Sequence, residues 1–195
     1  MKKTLLVVAA LFTVGLVNAQ TEKGNMIVGG DVSLDFATNK AESNGTTVDV
    51  GKTTEIEFSP QFGYFVMDRL AIGAELTYQS ETFKPDGGGG DDKFSLVGLG
   101  PFVKYYLENG IFGQLNAGFG SGKFETTNGQ GATQETKYSA STWRLGVGYA
   151  AFLNEHIAVE PMLSYGSDVL KNKDTDVKSI DNSFRISVGF TIFLN

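Results

Sequence analysis

Seven charged side chains alternate with small and polar residues along this chain: Glu55, Glu57, Glu75 and Glu160, with Lys104, Arg144 and Arg185. Carboxylates and cations in such a set serve one of two ends. They form an ion path or substrate site, or they neutralise one another in a salt-bridged interior. Unpaired charge in a narrow interior is costly, so a paired polar network is the expectation. His156 is the single histidine and Cys is absent. A lone His makes a nucleophilic triad or a metal centre hard to build, and no thiol chemistry or disulfide is available. The segment Gly118-Phe119-Gly120-Ser121-Gly122-Lys123 has the look of a phosphate loop. It fails in detail, because Ala117 replaces the first Gly and Phe124 follows Lys123 where Ser or Thr is needed. Asp86, Asp91 and Asp92 flank four glycines. They match no calcium-loop spacing, and a surface loop is the plainer reading. No catalytic residue, metal site or cofactor is expected.

The elements that hold these residues follow from hydropathy. Lys2 and Lys3 precede an apolar core, Thr4 to Leu16, and Val17-Asn18-Ala19 supplies a cleavage site. Residues 1–19 read as a cleaved signal peptide and 20–195 as one domain. A single N-terminal anchor is the alternative, but the apolar run is shorter than the about 20 residues a spanning helix needs. Without Lys2 and Lys3, 14 basic residues face 22 acidic ones, a net charge of −8. That argues against nucleic acid as a partner, since phosphate binding needs a basic surface.

After Gln20 the chain repeats with period two, the signature of strands. Met26, Val28, Val32, Leu34 and Phe36 share one face, with Ile27 the exception. Seven more runs follow, from Ile56, Leu70, Val97, Ile111, Trp143, Ile157 and Phe184. That gives eight strands. Short turns are expected at Met67-Asp68-Arg69, Glu108-Asn109-Gly110 and Asn154-Glu155-His156. Long polar loops are expected near Thr38–Lys52, Ser80–Lys93, Ser121–Tyr138 and Ser167–Asn182. Short turns at one end and long loops at the other are the pattern of bacterial outer-membrane barrels.

Parity does not say which face is inside. The polar face mixes glycines with long charged residues, which suits the narrow interior of eight strands. The apolar face is almost free of charge; Arg or Lys facing lipid at mid-depth would cost about 2–4 kcal/mol each. When strand direction is applied, the aromatics sort into two rings. Phe36, Tyr78, Phe119, Trp143, Tyr165 and Phe184 form one, at the outer interface. Tyr64, Tyr105, Tyr149 and Phe190 form the other, at the periplasmic interface. Aromatic girdles flanking an apolar band mark a membrane protein. The fold expected is therefore all-β: an eight-stranded antiparallel up-and-down transmembrane β-barrel.

The segments Gly24–Gly30, Phe62–Val66 running into Leu70–Gly73, Gly100–Tyr106 and Phe184–Leu194 carry a resemblance. The chain resembles the small outer-membrane barrels that include OmpX and the transmembrane domain of OmpA, the outer membrane protein beta-barrel domain group. Two features depart from it. The end, Phe193-Leu194-Asn195, lacks the terminal aromatic of the usual assembly signal, and nothing follows strand eight that would bind peptidoglycan.

The resemblance implies the cell outer membrane of a Gram-negative bacterium, with both termini periplasmic. The partners implied are outer-membrane lipid and lipopolysaccharide, the barrel-assembly machinery during insertion, and extracellular ligand, host or phage contacts. Lys171, Lys173 and Lys178 are placed to touch lipopolysaccharide phosphates or simply to solvate a loop. The function expected is a non-enzymatic structural or surface-interaction role through four extracellular loops. The competing class is a narrow or gated porin-like channel. A lipid A-modifying enzyme comes third, because such barrels use a His near the outer side and His156 is expected in a periplasmic turn.

Overall fold

Side chains alternate sides along a strand, so one apolar and one polar set per strand gives a sheet with two unlike faces. A computed structural model describes residues 20–43, 46–86, 90–127 and 132–195. The leader and its cleavage site lie outside the described residues. The strands are β1 (Met26–Ser43), β2 (Thr46–Met67), β3 (Leu70–Pro85) and β4 (Asp92–Tyr106), then β5 (Ile111–Thr127) and β6 (Thr133–Tyr149). Strand β6 resumes after Ala150 as Ala151–Phe152. Strands β7 (Ile157–Asn172) and β8 (Lys178–Leu194) complete the set.

Each strand pairs antiparallel with the next, and β8 returns to pair with β1. The sheet is an eight-stranded up-and-down barrel, as the alternation predicts. Pairing of Met26–Asp31 with Gly189–Leu194 closes the barrel in its terminal half, removing there the unpaired edges that lipid would not tolerate. Outside are the apolar residues of every run, such as Phe62, Leu99, Leu145 and Ile186, all exposed. Inside are the polar set and a buried apolar cluster described below.

Gln20, the first described residue, and Asn195 lie at one end, with the three short turns. Arg69 takes a left-handed φ of 69° to turn β2 into β3, and its N–H donates to the Thr21 carbonyl at 2.6 Å. Gly110, at φ 84°, closes the β4–β5 turn with a 3.0 Å bond to the Leu107 carbonyl. In the β6–β7 turn the Asn154 side-chain oxygen accepts from the backbone N–H groups of His156 and Ile157, at 2.8 and 3.0 Å. These are the local bonds for which Asn and Gly are favoured in turns.

The other end differs from expectation. The segments read as long loops are mostly strand. Strands β1 and β2 stay paired to Ser43 and Thr46, β5 and β6 to Thr127 and Thr133, and β7 and β8 to Lys171 and Lys178. The backbone ladder needs no apolar side chain to continue. Loss of apolar alternation marks where the lipid band stops, and the hairpin arms run on past it.

Candidate functional site

The lumen is built in layers from the terminal end upward. At its base, inward positions of six strands carry Ile27, Phe65, Phe102, Tyr106, Phe112, Phe152 and Phe193, all buried. Tyr106 lies 5.6 Å from the Phe112 ring and 5.8 Å from the Phe193 ring, and Phe152 lies 5.0 Å from Phe193. Glycines make room for them. A Cβ on Gly63 would sit 2.9 Å from both Phe102 and Ile27, and one on Gly148 would sit 2.4 Å from Phe112. This aromatic plug occupies positions that parity alone assigns to the polar face, which is why Ile27 breaks the apolar alternation of β1.

Above the plug, Lys104 and Glu160 form a buried ion pair. Tyr106 and Thr191 donate to the same carboxylate at 2.9 and 2.7 Å. The Lys104 ammonium stands 4.2 Å from the Phe112 ring centre, a cation–π distance. Beside this layer the lumen narrows to a void of about 20 Å³ bounded by Gln61, Lys104, Phe112, Gln114, Glu160 and Met162, among others. One water needs about 10–15 Å³ by this measure, so the void holds little more than that.

The next layer separates the expected partners. Arg185 donates to Glu57 at 2.5 Å, and the Ser59 hydroxyl donates to that carboxylate at 3.3 Å. Arg144 pairs with Asp168 at 2.9 Å, and Thr142 holds the other Asp168 oxygen at 2.6 Å. Asp168 lay in a segment expected to be loop and is missing from the sequence-derived network. Glu75 and Glu55 take amides in place of cations. Gln61 and Asn116 donate to Glu75 at 2.5 and 2.6 Å, and Gln79 donates to Glu55 at 2.8 Å. Full charge pairing of the seven residues is therefore corrected: Glu57, Glu160, Lys104, Arg144 and Arg185 are in ion pairs, while Glu55 and Glu75 are not. Where no cation reaches these carboxylates, amide N–H groups occupy their lone pairs.

Above these layers opens a cavity of about 740 Å³. Its walls carry Asp31, Glu55, Glu57, Glu75, Glu81, Asp168 and Asp181 against two guanidiniums, Arg144 and Arg185. Phe94, Leu96, Phe124 and Leu170 add apolar surface from β4, β5 and β7.

On the outer surface, the residues read as aromatic rings point away from the lumen. Trp143 meets Tyr165 edge-on at 6.0 Å, and Tyr165 meets Phe184 at 4.9 Å. Phe36, Tyr78 and Phe119 are exposed on the same half of the barrel. Tyr64, Tyr105 and Phe190 are exposed toward the terminal end, and Tyr149, on that half too, faces Ile111 across the ladder.

The other sequence candidates are dispersed. His156 is an exposed turn residue. Gly118–Lys123 lies within β5 and is not a loop. Gly87–Gly89 lies outside the described residues, and among the described residues no group of three or more ligand-type side chains can hold a metal ion. Lys171 bonds Asp176 at the β7–β8 turn, which holds the Asp176 carboxyl below its usual range. Lys173 donates to Ser121 at 3.2 Å.

Over residues 4–191 the sequence matches the family model for the outer membrane protein beta-barrel domain. The chain belongs to that family. It is an outer-membrane β-barrel of the Gram-negative type. No curated protein matches it in sequence. Solved structures similar to it include the outer membrane protein OprG from Pseudomonas aeruginosa, at 15% identity and TM-score 0.46, covering 90% of this chain and 99% of that one. Ail, the attachment invasion locus protein of Yersinia pestis, gives 15% and 0.45, covering 88% of this chain and 99% of that one. Neisserial surface protein A gives 16% and 0.44, covering 87% and 99%.

Proposed function

We propose that this outer-membrane barrel is a closed, non-enzymatic scaffold that displays its hairpin arms outside the cell. The observation that carries this reading is the aromatic plug sealed by Lys104–Glu160, beside which the lumen narrows to a void of about 20 Å³. The terminal end faces the periplasm, as the short turns there suggest by the usual asymmetry of such barrels. The outward aromatics sit at the two lipid interfaces, the level that amphipathic rings favour. Residues 1–19 serve as the export signal, and the assembly machinery of the outer membrane inserts the barrel. The arms, which lie beyond the lipid band, meet lipopolysaccharide headgroups and extracellular ligands, host surfaces or phage. The seven lumen residues of the polar network hold the barrel's shape.

Liposome swelling tests this reading. Proteoliposomes in an isotonic sugar are expected to swell no faster than protein-free vesicles. Sugar flux that scales with protein content would replace the scaffold with a pore. Lipid A mass spectra from cells with and without the protein are expected to coincide, and a new acylation state would show an enzyme.

A further inference from the structure

The seam between β1 and β8 is unlike the others. It is paired only from Met26–Asp31 against Gly189–Leu194, six positions, whereas every other neighbouring pair of strands shares eleven or more. Neither strand is frayed. β1 remains paired with β2 to Ser43, and β8 remains paired with β7 to Lys178. The two hairpins are complete and simply part from one another above Asp31 and Gly189. Unpaired strand edges facing hydrocarbon are unfavourable, so a seam in this half of the bilayer must be met by water or a ligand from the lumen side.

We propose that this unpaired seam is a lateral portal, through which the hydrocarbon chain of an uncharged or cationic amphiphile passes from the bilayer into the lumen cavity. Three observations support it. The outward apolar residues flanking the seam are among the most exposed of the chain: Phe36 and Phe184 at 75% and Ile186 at 80%. Inward residues on both sides of the seam line the cavity, Asp31 and Ser33 from β1 and Ser183, Arg185 and Ser187 from β8, so the cavity lies directly behind it. Across the barrel from it, on β4 and β5, stand the inward-facing Phe94, Leu96 and Phe124, apolar surface with no part in the plug. A volume of about 740 Å³ falls within the range of about 300–1,000 Å³ typical of small-molecule sites.

Charge selects the head group. Seven carboxylates line the cavity against two guanidiniums, and both guanidiniums already carry a carboxylate partner. An anionic head would be repelled there. The plug closes the floor, so the cavity is a binding site and not a route across the membrane. This inference adds a ligand site to the scaffold reading and does not rest on it.

The test is photolabelling in phosphatidylcholine vesicles doped with a diazirine-bearing octadecylamine or, in parallel, with the matching octadecanoic acid. Peptide mapping is expected to find the amine probe on inward Leu96 and Phe124 as well as on outward Leu99 and Phe119. The acid probe is expected to label the inward pair at least tenfold less. Continuing the register beyond Asp31 and Gly189 sets Ser33 opposite Ser187. In this chain, which has no Cys, oxidation of a Ser33→Cys/Ser187→Cys variant is expected to cut inward labelling tenfold, with recovery on reduction. Ser33→Trp, which fills the seam without a crosslink, is expected to give the same loss. Inward residues left unlabelled while the outward pair reacts would overturn the proposal. So would inward labelling that survives both variants, or equal inward labelling by the two probes.

Discussion

Lys104 and Glu160 are each almost wholly removed from solvent, and each relies on the other. Removing one partner of such a pair costs about 3–5 kcal/mol, while replacing both with apolar residues is often neutral. Lys104→Met and Glu160→Leu are each expected to lower unfolding stability by about that much, with the double variant recovering most of it. Urea titration of the barrel refolded in vesicles reads all three, and additive losses would deny the coupling. Gly63 is the second residue-scale case. The Cβ of Gly63→Ala would meet only side chains, Phe102 and Ile27, so the expected loss is about 1–3 kcal/mol from overpacking. Phe102→Leu in the same chain should relieve it, and the same titration checks the compensation. The sequence showed Gly63, Phe102 and Lys104 on one parity face but not their purpose. Parity sorts residues into faces; it does not show that inward rings from five strands converge at one depth. Asp168 was hidden for a related reason, because a polar stretch without alternation looks the same in a loop and in a solvated arm.

At the level of elements, the eight strands and three short turns were legible because each has a local cause. Alternation is imposed by lipid on one side and lumen on the other, and two of the three turns carry Asn or Gly where the backbone needs them, Arg69 taking the left-handed position in the third. The hairpin arms were illegible because neither face of an arm in water needs apolar residues. Their pairing predicts slow amide exchange for Glu81–Phe83 and Thr133–Lys137, segments that true loops would leave unprotected; hydrogen-exchange mass spectrometry at neutral pH checks this. The β7–β8 turn carries a pH-dependent contact. Lys171 depresses the Asp176 carboxyl, so the bond is intact above the ordinary Asp value of about 3.9 and is lost as pH falls through the lower folded value. Following the Asp176 resonance by NMR should give a midpoint below the ordinary one, and Lys171→Met should return it there. A midpoint that ignores the substitution would remove Lys171 as the cause.

For the whole molecule, the layers combine into a vessel with a closed base. Apolar residues outside fix the barrel in lipid, and the plug with its ion pair blocks the lumen where the chain ends meet. Charged residues inside a barrel suggest a pore when counted alone; here they stand above a layer of packed aromatic rings, and the void beside Lys104 and Glu160 has room for about one water. The blockage is therefore steric and apolar, and it should not depend on the charge of Arg144 or Arg185. Single-channel recording in planar bilayers tests this most directly. The native barrel is expected to show no steady conductance, and a Phe102→Ala/Phe112→Ala/Phe193→Ala variant that still inserts is expected to conduct. A steady conductance of the native protein, abolished by Arg144→Ala, would contradict the closed lumen.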